Sequence, residues 1–179
     1  LKNVESYFND PSLVSNSSFF LPYLSGERTP HNDPHIRGSF HAMRTTTDAT
    51  NMQYAVIEGV SFGILDGVNS ILKVNDNFEK IFMVGGGSRS SFWIELLSSL
   101  LNRNLSVCDQ SEYGAALGVA RLAMHSDKNI QNKNDIIKEI KISREYEPRM
   151  DSVDLLMKRY EIWRDLYTSN KKIAANLLK

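Results

Sequence analysis

Three consecutive glycines, Gly85, Gly86 and Gly87, stand where the chain changes character. Ahead of them, Ile81, Phe82, Met83 and Val84 form a short continuous apolar run, the pattern of a strand buried on both faces. Beyond them, Phe92, Trp93, Leu96, Leu97, Leu100 and Leu101 recur at helical spacing, and Ser88, Ser90 and Ser91 are all N-cap residue types. Strand, glycine turn and helix N-terminus in that order suit one kind of chemistry. Glycine lets a ligand approach the backbone closely, and the free N–H groups of a helix start favour an anion. The stretch reads as a nucleotide-contacting turn. A tight turn that needs positive φ and binds nothing fits the same residues.

The type of nucleotide site is narrowed by what surrounds the glycines. No G-x-x-x-x-G-K-[ST] pattern is present and no lysine follows the turn, so a P-loop is excluded. Gly85-x-Gly87-x-x-Ser90 comes close to the dinucleotide fingerprint, and Asp109 stands about 20 residues on, where a ribose-binding acid belongs. Serine in the third place departs from the Gly or Ala that lets helix and strand pack closely. The unit also follows a hairpin and a long helix, whereas a doubly wound sheet would open with it.

The elements that must position the turn follow from periodicity. Phe19–Leu24 reads as a strand limited by Pro22 to an edge or bulge, and Ser39–Arg44 as a second strand pairing with it. Between them, residues 25–38 pack Glu27, Arg28, His31, Asp33, His35 and Arg37 into a stiff loop, either a solvated connection or a cleft lining. Its spacing is not that of a zinc site, and no metal is assigned there. Thr45–Asp48 caps a long helix over 49–73. Met52, Val56, Val60, Ile64, Val68 and Leu72 step by four along one face, and Gly59, Gly63 and Gly67 along another, predicting tight packing on a sheet. Leu105–Cys108 reads as a strand, and Ser111 caps a helix over 112–126 whose Gly114, Ala115, Ala116 and Gly118 leave one face very small. Residues 127–143 show weak helical periodicity, and an amphipathic helix with Leu156, Tyr160, Trp163 and Tyr167 on one stripe spans 151–179. Strand–helix alternation predicts a parallel sheet with crossover helices, to which the opening hairpin adds an antiparallel part: a mixed-sheet α/β domain. Its ligand belongs outside the carboxyl ends of the strands.

Bulk properties exclude other classes. With 179 residues the chain suffices for one domain with a real core. Basic and acidic residues balance at 21 each, which excludes a general binder of nucleic acid or of an anionic membrane surface. Cys108 is the single cysteine, so no intramolecular disulfide forms and a reducing, cytoplasmic location is expected. No run of about 18 apolar residues predicts a membrane span, and the first ten residues have no apolar signal-peptide core. The chain opens mid-pattern without Met, as expected of a piece of a longer protein.

Several motifs together resemble the C-terminal half of the FGGY family of carbohydrate kinases. F-L-P-Y-L-S-G-E-R-T-P-H-N-D-P, Phe20 to Pro34, is the most specific. Gly38 through Glu58 meets a second family pattern, with Ala42 where the family usually has glycine. V-G-G-G-S-R-S, Val84 to Ser90, resembles the family's adenosine-contacting turn, and Glu112-x-Gly114-Ala115-Ala116 and Tyr146-x-Pro148 also fit. The resemblance implies an actin-like fold of two ribonuclease-H-like domains closing over a cleft, with sugar held mainly by the first and ATP mainly by the second. On that footing residues 1–18 are a leader remnant and loop, and 19–179 are the C-terminal nucleotide-binding domain. The implied cofactors are ATP and Mg²⁺, although the sequence shows no Mg²⁺ ligand. Gly85 would make the turn and Gly86 and Gly87 would approach the nucleotide through the backbone. Ser90 aligns with a position that is asparagine in some relatives, where an amide contacts adenine. The family's general-base aspartate would lie upstream, since none of Asp10, Asp33, Asp66 and Asp109 sits in its motif, and 1–179 alone is expected to be inactive. A gluconate, pentose or polyol kinase of the same family, a nicotinamide-dependent oxidoreductase, and a non-catalytic module forming a homodimer through its last helix are the alternatives.

Overall fold

The computed structural model describes residues 2–74, 80–126 and 141–177. Two short helices, α1 (Lys2–Phe8) and α2 (Pro11–Asn16), lead into an antiparallel pair, β1 (Phe19–Leu21) and β2 (Ser39–His41). The long helix α3 (Ala49–Leu72) follows, then β3 (Ile81–Met83), α4 (Ser91–Leu101), β4 (Leu105–Cys108), α5 (Gly114–Ser126), β5 (Ile142–Tyr146) and α6 (Met150–Leu177). Short 3-10 turns at Gly86–Arg89 and Ser111–Tyr113 precede α4 and α5.

Residues 2–18, expected to be part of a leader remnant and loop over 1–18, form two short helices that pack into the domain. Val4, Phe8 and Val14 enter the main core with Leu21, Ile36, Tyr54, Phe62, Leu96 and Trp163. Asp10, a good N-cap type, accepts the Ser12 N–H at 2.9 Å and starts α2 ahead of Pro11. β1 stops at Leu21, immediately before Pro22, which has no N–H for a ladder.

The sheet is mixed, but not by the predicted route. The β1–β2 hairpin forms a sheet of its own. The other sheet has order β3-β4-β5, with β3 parallel to β4 and β5 antiparallel to β4. β5, of which only Ile142 and Ser143 fall in the stretch read from sequence as weakly helical, is I-S-R-E-Y and mostly exposed, so no hydrophobic alternation advertises it. The rest of that predicted stretch falls on 127–140, outside the described residues. β3 is not the doubly buried strand that its apolar run suggests. Among the described residues it pairs only with β4; its side chains are half-buried, and Val84 just beyond it is 59% exposed.

Helix α3 is the centre of the packing. Asp48 accepts the Asn51 N–H at 2.7 Å as its N-cap. Its buried face carries Tyr54, Ala55, Glu58, Phe62, Leu65 and Asp66; the predicted stripe from Met52 to Leu72 is half-buried, with Ile64 exposed. Steps of four residues overshoot one helical turn, so that stripe winds away from the core. By length and composition α3 is apolar enough to cross a bilayer. Instead it carries a fully buried ion pair, Glu58 with Arg159 of α6, through two contacts of 2.7 Å.

Of the three glycines in register on α3, one has a packing reason. A Cβ on Gly59 would lie 2.1 Å from the Phe20 carbonyl oxygen of β1. One on Gly63 would make an ordinary 3.7 Å contact with Pro22, and one on Gly67 would meet nothing within 4 Å. The close approach of helix and strand therefore sits at one residue, and the expectation of tight packing at all three is corrected.

The charged loop 25–38 is tied to α6 through Asp33. Asp33 accepts N–H bonds from His35 at 2.9 Å and Ile36 at 3.1 Å, and the Tyr167 hydroxyl donates to it at 3.0 Å. His31 stacks on the Tyr167 ring with centroids 3.6 Å apart. The His35 N–H bond first, then those from Tyr167 and Ile36 and the nearby Lys171 charge, outweigh burial and hold the Asp33 carboxyl below its ordinary pKa.

Three predictions follow from this packing. Gly59→Ala will lower stability in urea denaturation by ~1–3 kcal/mol, because backbone must move. Gly63→Ala will be neutral or stabilising by up to ~1 kcal/mol; equal losses at both sites would refute the single close approach. Arg159→Met will destabilise by ~3–5 kcal/mol by leaving the Glu58 carboxylate buried and unpaired, and Glu58→Gln added to it will recover part of the loss, so strict additivity would show the pair to be uncoupled. Asp33 has a lowered native pKa, so its contribution is present above the ordinary aspartate value of about 3.9 and lost as pH falls below it. Stability measured from neutral pH down to about pH 3 will fall less steeply in Asp33→Asn than in the parent, and parallel curves would remove Asp33 as a cause.

Candidate nucleotide site

The parallel pair β3 and β4 ends at two turns, and the candidate site lies between them. Gly85 has φ +82° and ψ −169°, a region open essentially to glycine alone. Its N–H donates to the Ser111 carbonyl at 2.8 Å, joining the turn after β3 to the turn after β4. The Ser88 hydroxyl donates to the Gly85 carbonyl at 2.8 Å and accepts from the Ser111 hydroxyl at 2.9 Å. Arg89 and Glu112 close the outside with an ion pair at 2.6 Å. Buried hydroxyls thus satisfy the carbonyl and each other where no regular ladder can.

The three glycines divide their work. Gly85 supplies the positive φ. A Cβ on Gly86 would meet nothing within 4 Å, so this residue faces open space and is exposed. A Cβ on Gly87 would fall 2.7 Å from the Trp93 indole, so Gly87 is glycine because the ring of α4 lies on it. The Trp93 indole N–H donates to the Ser61 hydroxyl of α3 at 2.9 Å and fixes that ring. Ser90 is the N-cap of α4, accepting the Trp93 N–H at 3.3 Å. The side chain aligned with an adenine-contacting asparagine is therefore engaged in capping.

A cleft of about 470 Å³ opens beside the turn. Val84 forms one wall and Gly114, Leu117 and Gly118 of α5 the other, over a floor of Cys108 to Ser111. A Cβ on Gly118 would meet nothing within 4 Å, and one on Gly114 would meet only the Val84 side chain, at 3.5 Å. The small face of α5, visible in the sequence but given no role there, is what keeps the cleft open. Helix α5 contains no buried residue, and Val119 and Leu122 are 67% and 70% exposed. The cleft joins an apolar wall to a polar floor, with Arg121 and Lys141 also lining it and the glycine turn beside it, a composition that suits a base and ribose with an anionic group.

Other candidate residues lie elsewhere. Asp109 alone among the four aspartates considered borders the cleft. Asp10 caps α2, Asp33 anchors its loop, and Asp66 is buried and accepts the Tyr160 hydroxyl. Glu27 accepts the Thr29 N–H and Arg37 donates to the Pro34 and Ile36 carbonyls, so both serve their own loop. A second cavity of about 450 Å³ lies between that loop and α6, but its Asp66 is engaged by Tyr160, Arg164 and His31. No three His, Cys, Asp or Glu side chains among the described residues gather as a metal cage.

Known proteins share this arrangement. A model of the FGGY family of carbohydrate kinases, C-terminal domain, matches residues 4–126. A xylulose kinase from Staphylococcus epidermidis is 31% identical over 169 residues, covering 93% of this chain and 34% of the relative. The crystal structure of a xyloylose kinase from Brucella ovis superposes with TM-score 0.76 at 30% identity, covering 96% of this chain and 38% of that one. A gluconate kinase from Lactobacillus acidophilus superposes with TM-score 0.68 at 26% identity, covering 92% of this chain and 34% of that one. The chain thus spans about a third of the length of the relatives it matches. The matched domain and the actin-like α/β fold of the structural neighbours agree, and the chain belongs to the FGGY family of carbohydrate kinases as its C-terminal domain.

Proposed function

We propose that this chain is the ATP-binding portion of a kinase that phosphorylates D-xylulose to xylulose 5-phosphate, acting in the cytoplasm. The observation that carries the reading is the open cleft at the ends of β3 and β4, where Gly118 faces empty space, next to the Gly85 turn on which Gly86 is open to solvent. Gly86 lies nearest the nucleotide, Gly85 sets the turn, Gly87 contributes through its backbone, and Ser90 holds the helix start that faces the phosphates. Phosphoryl transfer depends chiefly on aligning donor and acceptor and on neutralising charge. This domain supplies the first part by holding ATP. Mg²⁺ accompanies ATP in such a reaction; among the described residues no three His, Cys, Asp or Glu side chains gather to hold it.

D-xylulose is favoured over gluconate by the relative from Staphylococcus epidermidis, whose name is xylulose kinase. Gluconate is kept as the second sugar because a gluconate kinase has the same domain at TM-score 0.68. The nicotinamide reading has Asp109 at the cleft in its favour, yet the family match stands against it.

The test is ADP release by the full-length gene product with ATP, Mg²⁺ and either D-xylulose or gluconate, beside the same assay on residues 1–179 alone. Turnover with D-xylulose by the full-length protein and none by 1–179 is expected. Preference for gluconate would replace the sugar. Turnover by 1–179 would place the general base within this sequence, and no ADP with either sugar would overturn the reading.

A further inference from the structure

Arg144 lies on β5, beyond residues 4–126 that the family model matches, yet it reaches the glycine turn. Its Nη2 donates to the Ser88 carbonyl at 2.9 Å. Its Nη1 donates to the Tyr146 hydroxyl at 3.1 Å and lies 3.5 Å from the Ser91 hydroxyl. Tyr146 in turn donates to Ser91 at 2.9 Å. Ser88 belongs to the 3-10 turn and Ser91 is the first residue of α4, so one guanidinium spans the junction between turn and helix.

A break in the β4–β5 ladder accompanies this reach. Val107 pairs with Arg144 but Cys108 pairs with Ile142, which leaves Ser143 as an extra residue. The Ser143 hydroxyl donates to the Val107 carbonyl at 2.9 Å and pins the irregularity. Such bulges re-aim the neighbouring side chain and recur beside functional sites.

We propose that Arg144 is a positioning residue for the nucleotide: its planar fork holds the Ser88 carbonyl and the start of α4 in the orientation that presents the glycine turn to ATP. This rests on the reading of the turn as an ATP site. Arg144 is exposed, so its hydrogen bonds add little to global stability and their effect is local. Lysine donates from a single nitrogen without the planar fork, so it holds Ser88 and Tyr146 together less well.

Steady-state kinetics of the full-length kinase with Arg144→Ala and Arg144→Lys, beside thermal melting, test the proposal. Arg144→Ala is expected to raise KM for ATP about tenfold, the scale of one lost charge-assisted hydrogen bond, with kcat and KM for the sugar within about twofold and the melting midpoint unchanged. Arg144→Lys is expected to fall between alanine and parent, and guanidinium ion at non-denaturing concentration to restore ATP affinity to Arg144→Ala only. An unchanged KM for ATP in an active enzyme overturns the positioning role and leaves the kinase reading intact. A lowered melting midpoint with kcat and both KM values changed together also overturns it, since that is a structural loss. A parent enzyme without sugar-dependent ADP release overturns both.

Discussion

The fold depends on one buried ion pair. Glu58 on α3 and Arg159 on α6 meet through two 2.7 Å contacts, and both side chains are almost completely buried. Arg159 also donates to the carbonyls of Ser17 and Ser18 ahead of β1 and lies over the Phe19 ring at 4.3 Å. One guanidinium therefore fixes three segments at once. Burial opposes its charge, and Glu58 more than compensates, so its pKa stands above the ordinary value. A pair so fully desolvated is an expensive way to gain stability. Its geometry has a different effect: any slip of α3 against α6 would leave a charge unpaired in the core. Gly59, one residue along, lets the same helix lie against the Phe20 carbonyl.

From that fixed helix the order passes outward to the site. Ser61 and Trp93 join α3 to α4. Helix α4 has two working faces: Phe92, Leu96 and Leu100 enter the main core, while Ile94 and Leu97 pack with Leu105 and Val107 of the sheet. It is the wall shared by both cores, and its N-terminus is where the glycine turn ends. The Trp93 ring that holds α4 to α3 is the same ring that lies on Gly87. The turn is thus rigid on its inner side and open at Gly86.

The opposite wall is built differently. Helix α5 contributes nothing to either core and is joined to the rest through the turn at Ser111 and the Arg89–Glu112 pair. Few buried contacts hold it, which is the character of elements that move when ligands bind. Among the described residues the cleft therefore has one rigid wall and one lightly held wall.

Much of this was legible from residue order because it depends on local chemistry. The caps at Asp48, Ser90 and Asn102, the strand limit at Pro22 and the stripe of Leu156, Tyr160 and Trp163 on α6 follow from propensity and spacing. So does the strand–glycine–helix unit, because a positive φ at Gly85 leaves few alternatives. What tertiary structure alone decided concerns partners far apart in sequence. Nothing near Glu58 announces Arg159, 101 residues away. Equal spacing of Gly59, Gly63 and Gly67 does not say that only the first meets a strand. The apolar run of β3 does not reveal that among the described residues it pairs with β4 alone, and the polar I-S-R-E-Y of β5 gives no periodic signal that it is a strand. Three adjacent glycines look alike in sequence; their different roles depend on Trp93 and on the space beyond Gly86, and periodicity carries no record of either.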